Sequence, residues 1–271
     1  MSKKKVCIIG LGYVGLPMAI ALSNVKKNNK FKYDVFGYDN DTKKVKKIIT
    51  SIKNKKLPFD SLDKTLKQKF TSSSYNNKIN IIEDFSELAK MEIIILSVGF
   101  DFINNLNSFK NIKDLIKKIS MLIKANGLLI IETTLPPGTY EKILIPEINK
   151  SCKIRKISMG NIFLGYSYER IMPGKEYYNS IINNYRCYSG YNDISKKKVK
   201  NFLKSFINYK RFNLTELNTI TECETAKILE NSYRATNIAL IDEWVNYANL
   251  LKIDLLKVIN AIKLRPSHTN I

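Results

Sequence analysis

The chain is poor in the residues that most often carry chemistry. Its 271 residues hold one histidine, His268, and four cysteines, Cys7, Cys152, Cys187 and Cys223. The cysteines are scattered with no C-x-x-C pair, which argues against a zinc site or a secreted disulfide framework and suits a reducing cytoplasm. His268 lies in the terminal segment and reads as non-catalytic. No stretch approaches the ~18 apolar residues of a membrane span. Acidic residues are also few, 24 against 45 lysines and arginines, for a formal charge of +21. That excess favours anionic ligands such as nucleotides. It does not read as a nucleic-acid site, because the lysines are spread along the chain and no aromatic–basic stacking motif accompanies them. There is no internal repeat.

The informative residues begin at the start of the chain. Lys5-Val6-Cys7-Ile8-Ile9 is a short apolar strand that runs into Gly10-Leu11-Gly12-Tyr13-Val14-Gly15 and then into an apolar helix opening with Leu16-Pro17. Strand, Gly-x-Gly-x-x-Gly turn and helix together form the layout that seats a pyrophosphate. Gly10 permits the tight turn, Gly12 lets the backbone approach the phosphates, and Gly15 lets the helix pack on the strand. The helix N-terminus offers free N–H groups to the anion. A second strand over residues 32–38 ends in Asp39, 24 residues past the last glycine, close to where a carboxylate accepts from the ribose hydroxyls of NAD. An arginine there would suit NADP instead. Lys3-Lys4-Lys5 before an apolar run imitates a secretory signal, but three glycines and a proline interrupt the run.

Strand and helix signals then alternate. Residues 42–49 read as a helix, 79–82 as a short strand, 85–90 as a short helix, 92–98 as a buried strand, 112–123 as a helix and 128–134 as another buried strand. Pro136-Pro137-Gly138 stops that last strand. Continuous apolar strands of this kind belong to a parallel sheet covered on both faces. The expected fold is α/β, a Rossmann-type doubly wound parallel sheet with ligands at the carboxyl ends of its strands. From residue 220 to 252 there is no proline or glycine, and Ala226, Leu229, Tyr233, Ile238, Ile241, Val245 and Ala248 fall at helical spacing. A long central helix is expected there, with Asp254 capping a further helix to Ala261. Residues 1–212 are read as the nucleotide-binding domain and 213–271 as a central helical, dimerisation-type domain.

Four segments carry a resemblance. They are Gly10–Gly15 with Asp39; Glu132-Thr133-Thr134-Leu135-Pro136-Pro137-Gly138-Thr139; Ser167-Tyr168-Glu169-Arg170-Ile171-Met172-Pro173-Gly174; and Glu224-Thr225-Ala226-Lys227-Ile228-Leu229-Glu230-Asn231. In this order they resemble the UDP-glucose/GDP-mannose dehydrogenase family, over nearly the whole chain. The resemblance implies NAD-dependent oxidation of a nucleotide-sugar C6 alcohol to a carboxylate in polysaccharide precursor synthesis. In that family a cysteine captures the intermediate aldehyde and water releases the acid from a thioester. By match, Thr134 helps hold water and cofactor, Glu169 acts as a base in hydrolysis, and Lys227 and Asn231 stabilise the developing oxyanion. Gly10, Gly12, Tyr13, Val14, Gly15, Asp39, Lys44, Val98, Thr133 and Thr134 form the implied cofactor set.

Lys227 and Asn231 are four residues apart, so they share one helix face. The family's Gly-Gly-x-Cys nucleophile motif and C-terminal nucleotide domain have no counterpart in these 271 residues. The resemblance therefore implies a truncated or split member that binds NAD without completing the oxidation. Phe100 stands where the family has threonine, and Tyr168 where it has proline. The expected partners are a nucleotide-sugar substrate and a second copy of the chain, paired through residues 220–252. No metal, nucleic acid or membrane span is expected. Two other readings stand beside this one: a complete β-hydroxyacid dehydrogenase-like enzyme, and an inactive NAD-binding or dimerising subunit.

Overall fold

The computed structural model describes residues 2–265, so His268 lies outside the described residues. The chain divides into two compact units, the first reaching Glu224 and the second starting at Thr225.

Strands and helices alternate through the first unit. They are β1 (Lys4–Ile9), α1 (Gly15–Ser23), a small hairpin of β2 (Lys26–Lys27) and β3 (Lys30–Phe31), β4 (Tyr33–Tyr38), α2 (Thr42–Asn54), α3 (Lys64–Asn76) and β5 (Asn80–Ile81). There follow β6 (Ile93–Leu96), α4 (Asn105–Leu122), β7 (Leu128–Ile131), α5 (Ile145–Ile154), β8 (Phe163–Tyr166), α6 (Tyr177–Ile182), β9 (Arg186–Gly190), α7 (Asp193–Leu203) and β10 (Leu214–Glu216). The helix α8 (Ile220–Leu251) begins in the first unit and runs into the second, which adds α9 (Leu255–Ile262). Asp254 caps α9, accepting from the Leu256 and Lys257 amides.

Eight strands form one sheet in the order β10-β9-β8-β7-β6-β1-β4-β5. The doubly wound expectation is met from β5 to β8, where every pair is parallel. The last two strands depart from it: β9 runs antiparallel to β8, and β10 follows β9. The β8–β9 connection holds only the six-residue α6, and an antiparallel neighbour needs no crossover helix. Strand order reverses at β1, which sits between β4 and β6. The crevice beyond their carboxyl ends is where such sheets bind ligands.

Alternate strand residues point to opposite faces. Val6, Ile8, Ile93, Ile95, Leu128 and Ile130 join one core with residues of α1, α3, α6 and α7. Cys7, Ile9, Ile94, Leu96, Leu129 and Ile131 are equally buried and turn to the other face, the side of α4 and α5. Helix α3 has little apolar periodicity to announce it, since its buried positions include Ser73 and Ser74 beside Leu66 and Phe70. Its N-cap is explicit, however: Asp63 accepts from the Leu66 amide. Helix α4 starts earlier than its apolar stripe, because Leu106 in its first turn is 81% exposed and Ile112, Ile116, Ile119 and Ser120 face inward.

Strand β7 ends at Ile131, before Glu132-Thr133-Thr134, because Glu132 and Thr133 turn their polar groups to other elements. Glu132 meets Arg186 of β9 at 2.7 Å, with both side chains buried. Burial pushes the Glu132 carboxyl up, and the Arg186 charge and hydrogen bond oppose that rise. Breaking a buried pair leaves one charge uncompensated, which costs about 3–5 kcal/mol, whereas an apolar replacement of both partners is often neutral. Arg186→Met alone is therefore expected to destabilise by about that amount in urea unfolding, and Arg186→Met with Glu132→Leu to recover most of it. Additive losses in the double variant would contradict this reading of the pair.

Candidate functional site

Strand β1 ends at Ile9, and Gly10 turns the chain with φ of +94°. A Cβ at Gly10 would stand 2.3 Å from the Ser97 carbonyl oxygen, and one at Gly15 would stand 1.8 Å from the Gly10 oxygen. The protein itself demands these two glycines, one for the turn against the end of β6 and one for α1 against the turn. Gly12 differs, because a Cβ there would meet nothing within 4 Å. Val14, which precedes α1, makes no side-chain capping bond; in the first turn the Leu16 amide bonds the Gly12 carbonyl at 3.2 Å, Pro17 has no N–H, and the Met18 amide bonds the Val14 carbonyl at 3.1 Å.

Asp39, at the end of β4, reaches back to this turn. Its Oδ2 accepts from the Leu11 amide at 2.8 Å and from Lys44 Nζ at 3.0 Å, and its Oδ1 accepts from the Asp41 amide at 3.0 Å. Burial works against the charged carboxylate, but the Asp41, Leu11 and Lys44 donors prevail and hold it below its ordinary value. Lys44 lies in the first turn of α2, beside the capping carboxylate of Asp41.

These groups line a cleft of about 830 Å³ whose walls include Gly10, Gly12, Asp39, Lys44, Ser97 and Val98. The far wall comes from Asn111 and Leu115 of α4, and Tyr38 and Phe85 add an edge-to-face aromatic pair with centroids 4.9 Å apart. An open approach at Gly12, the positive end of α1, an ionised acid and an aromatic wall fit the phosphates, ribose and base of a dinucleotide. The sequence did not disclose the aromatic pair or the α4 wall; the two rings come from elements far apart in the chain. Of the other cofactor candidates, Tyr13 is 72% exposed and its carbonyl accepts from the Tyr177 hydroxyl. Phe100 packs on Phe102 and Phe109, with ring centroids 5.0 and 5.1 Å away.

A second group follows β7. The Thr133 hydroxyl accepts from the Val98 amide at 3.1 Å and donates to the Val98 carbonyl at 2.9 Å. Thr133 thus ties β7 to the end of β6, while Thr134 beside it is half-buried. The Tyr166 hydroxyl donates to the Thr133 carbonyl at 2.9 Å. Farther on, the buried Glu224 carboxylate accepts from the Gly138 amide at 2.7 Å and the Tyr140 amide at 2.9 Å. Burial pushes the Glu224 carboxyl up to about 7 against the pull of those two amides. Sequence reasoning singled out neither Tyr166 nor Glu224 for a role, although Glu224 opens the fourth motif.

In the loop after β8, Glu169 is half-buried and its Oε2 accepts from the Ile171 amide at 2.5 Å. Tyr168 is buried, and its hydroxyl accepts from Arg170 at 3.0 Å. Lys227 and Asn231 belong to the second unit, one turn apart on α8, and Asn231 Oδ1 accepts from Arg234 at 3.2 Å. The structure therefore gathers Gly10, Gly12, Asp39, Lys44 and Val98 at one cleft and joins Thr133 to it through Val98. Among the described residues there is no group of His, Cys, Asp and Glu side chains that could hold a metal ion, and no helix is long and apolar enough to cross a membrane.

Comparison with known proteins agrees with this geometry. Residues 4–208 match the UDP-glucose/GDP-mannose dehydrogenase family, NAD binding domain, and residues 221–270 match the central domain of the same family. UDP-N-acetyl-D-mannosamine dehydrogenase of Methanococcus vannielii is 30% identical over 99% of this chain and 56% of its own length. UDP-N-acetyl-D-glucosamine 6-dehydrogenase of Pseudomonas aeruginosa is 27% identical over 96% of this chain and 57% of its own. The structure of UDP-D-ManNAc dehydrogenase from Pyrococcus horikoshii superposes with a TM-score of 0.79 at 22% identity, covering 97% of this chain and 58% of that one. The chain thus spans little more than half the length of the relatives it matches. With a glycine turn, an ionised acid and an NAD-binding domain matched over most of its length, the chain belongs to the UDP-glucose/GDP-mannose dehydrogenase family.

Proposed function

We propose that this chain carries the NAD-binding and central parts of a nucleotide-sugar 6-dehydrogenase. The complete reaction would convert a sugar C6 alcohol to the uronic acid, in the cytoplasm, for polysaccharide precursor synthesis. The observation that carries the reading is the cleft at Gly12, open to a ligand backbone and walled by the ionised Asp39. NAD, when bound, supplies the hydride acceptor.

The chain's own residues divide the remaining work. Asp39 accepts from the ribose hydroxyls, and Lys44 fixes that carboxylate in place. Thr134 holds the cofactor and a water. Glu169 takes the proton of the water that releases the acid. The Lys227 ammonium and the Asn231 amide donate to the oxygen that gains negative charge. The family's covalent capture of the aldehyde needs a reactive thiol. Burial raises the Cys7 and Cys223 thiols well above their ordinary value, which keeps them protonated and unreactive. UDP-N-acetylhexosamines are the first substrates to try, beside UDP-glucose. We further propose a homodimer through residues 220–252. Leu229, Tyr233, Tyr247 and Leu250 of α8 are 63%, 68%, 63% and 82% exposed, an apolar display that a second copy would cover.

Three outcomes follow from these assignments. Gly12→Ala is expected to raise the NAD dissociation constant at least about tenfold by calorimetry with the melting temperature unchanged, because the added methyl meets the ligand and not the protein. Unaltered affinity would remove the cofactor from this cleft. The 271-residue chain is expected to bind NAD yet form no NADH-coupled uronate from any UDP-sugar tested; sustained turnover would show that another group replaces the thiol. Tyr233→Glu with Leu250→Glu is expected to convert a dimer into a monomer in sedimentation, and a wild-type monomer would end the dimer proposal.

A further inference from the structure

Residues 133–140 are gripped at two points by buried polar groups from other elements. Tyr166 closes β8 and has no exposed surface. Its hydroxyl donates to the Thr133 carbonyl at 2.9 Å. The phenol thus holds the peptide group that joins Thr133 to Thr134. Burial, with the Glu224 carboxylate nearby, raises the Tyr166 phenol far above its ordinary value, so it keeps its proton and remains a donor. Farther along, both Glu224 oxygens hold the Gly138 and Tyr140 amides. The stretch between the two grips is stiff. Pro136 and Pro137 have fixed φ, and the Thr139 hydroxyl and amide both bond the Pro136 carbonyl, at 2.5 and 3.1 Å.

Burying a phenol and a carboxylate is costly where apolar side chains would serve the core. Here the bonds of both groups converge on the backbone of one segment, whose member Thr134 is half-buried between fully buried neighbours. Thr133 cannot serve in its place, since its hydroxyl is committed to Val98.

We propose that Tyr166 and Glu224 are positioning residues for Thr134, two buried grips that fix its backbone so that its hydroxyl meets the cofactor without further ordering. The proposal rests on the reading of Thr134 as a cofactor-holding residue. Neither grip touches the ligand; each acts through Thr134.

The test is NAD affinity by calorimetry on the full chain, for Thr134→Val, Tyr166→Phe, Glu224→Gln and the two doubles with Thr134→Val. Thr134→Val is expected to raise the dissociation constant about fivefold, the worth of one net hydrogen bond. Tyr166→Phe and Glu224→Gln are expected to weaken binding by a similar factor, and neither double to fall much below Thr134→Val alone, as coupled sites behave. Hydrogen exchange should quicken at the Thr134 amide, in the peptide whose carbonyl Tyr166 holds, in Tyr166→Phe, and at the Gly138 and Tyr140 amides in Glu224→Gln. A merely structural pair would lower the melting temperature and leave the coupling absent. If Tyr166→Phe fails to fold, Glu224→Gln carries the test from the other end. Weakening by Thr134→Val alone would overturn the grips and leave Thr134 in its role. No effect of Thr134→Val would overturn both. Additive doubles would overturn the proposal by showing that the grips act elsewhere.

Discussion

The close approach of the first turn to the middle of the sheet governs the rest of the molecule. Strand β1 lies between β4 and β6, and its exit at Gly10 is pressed against the Ser97 carbonyl with no room for a side chain. Helix α1 is pressed in turn against Gly10 through Gly15. With both contacts made, the turn has one free side, at Gly12, and that side is the cleft. Asp39 locks the same turn from the neighbouring strand by accepting the Leu11 amide. Its carboxylate therefore serves the fold and the proposed ribose contact together.

The carboxyl ends of β7 and β8, beside the amino end of the antiparallel β9, gather a cluster of buried polar groups. Glu132 and Arg186 pair there, Thr133 bonds Val98, Tyr166 bonds Thr133, and Glu224 bonds Gly138 and Tyr140. Strands β6 and β7 themselves are all Ile and Leu. Apolar packing is tolerant of small shifts, whereas hydrogen bonds in a dry interior hold one geometry. That polarity sits where a sheet of this order binds its ligands, so the cost of burying it buys placement in the one region that needs it.

Much of the site was legible because its signals are local. The glycine turn, the strand before it and the acid after it occupy less than forty residues of chain, about one supersecondary unit. The buried strands announced themselves as unbroken apolar runs, and the long helix as a stretch free of proline and glycine. Helix α3 escaped notice because serines occupy part of its buried face, and the reversed strands β9 and β10 because direction is set by a connection and not by composition. The resemblance put Lys44 in the cofactor set; only the fold brings its ammonium to Asp39.

By itself the sequence determined the fold class, the place of the nucleotide turn and the identity of the acid that follows it. Those properties depend on residues near one another in the chain, where backbone sterics and side-chain periodicity decide. The tertiary structure alone decided which of two adjacent threonines is spent on the sheet, which aromatic rings wall the cleft, and that a tyrosine of β8 and a glutamate of α8 hold one loop. Those are hydrogen bonds and contacts between elements 30 to 90 positions apart. Burial makes them strong, and no local pattern in the chain records them.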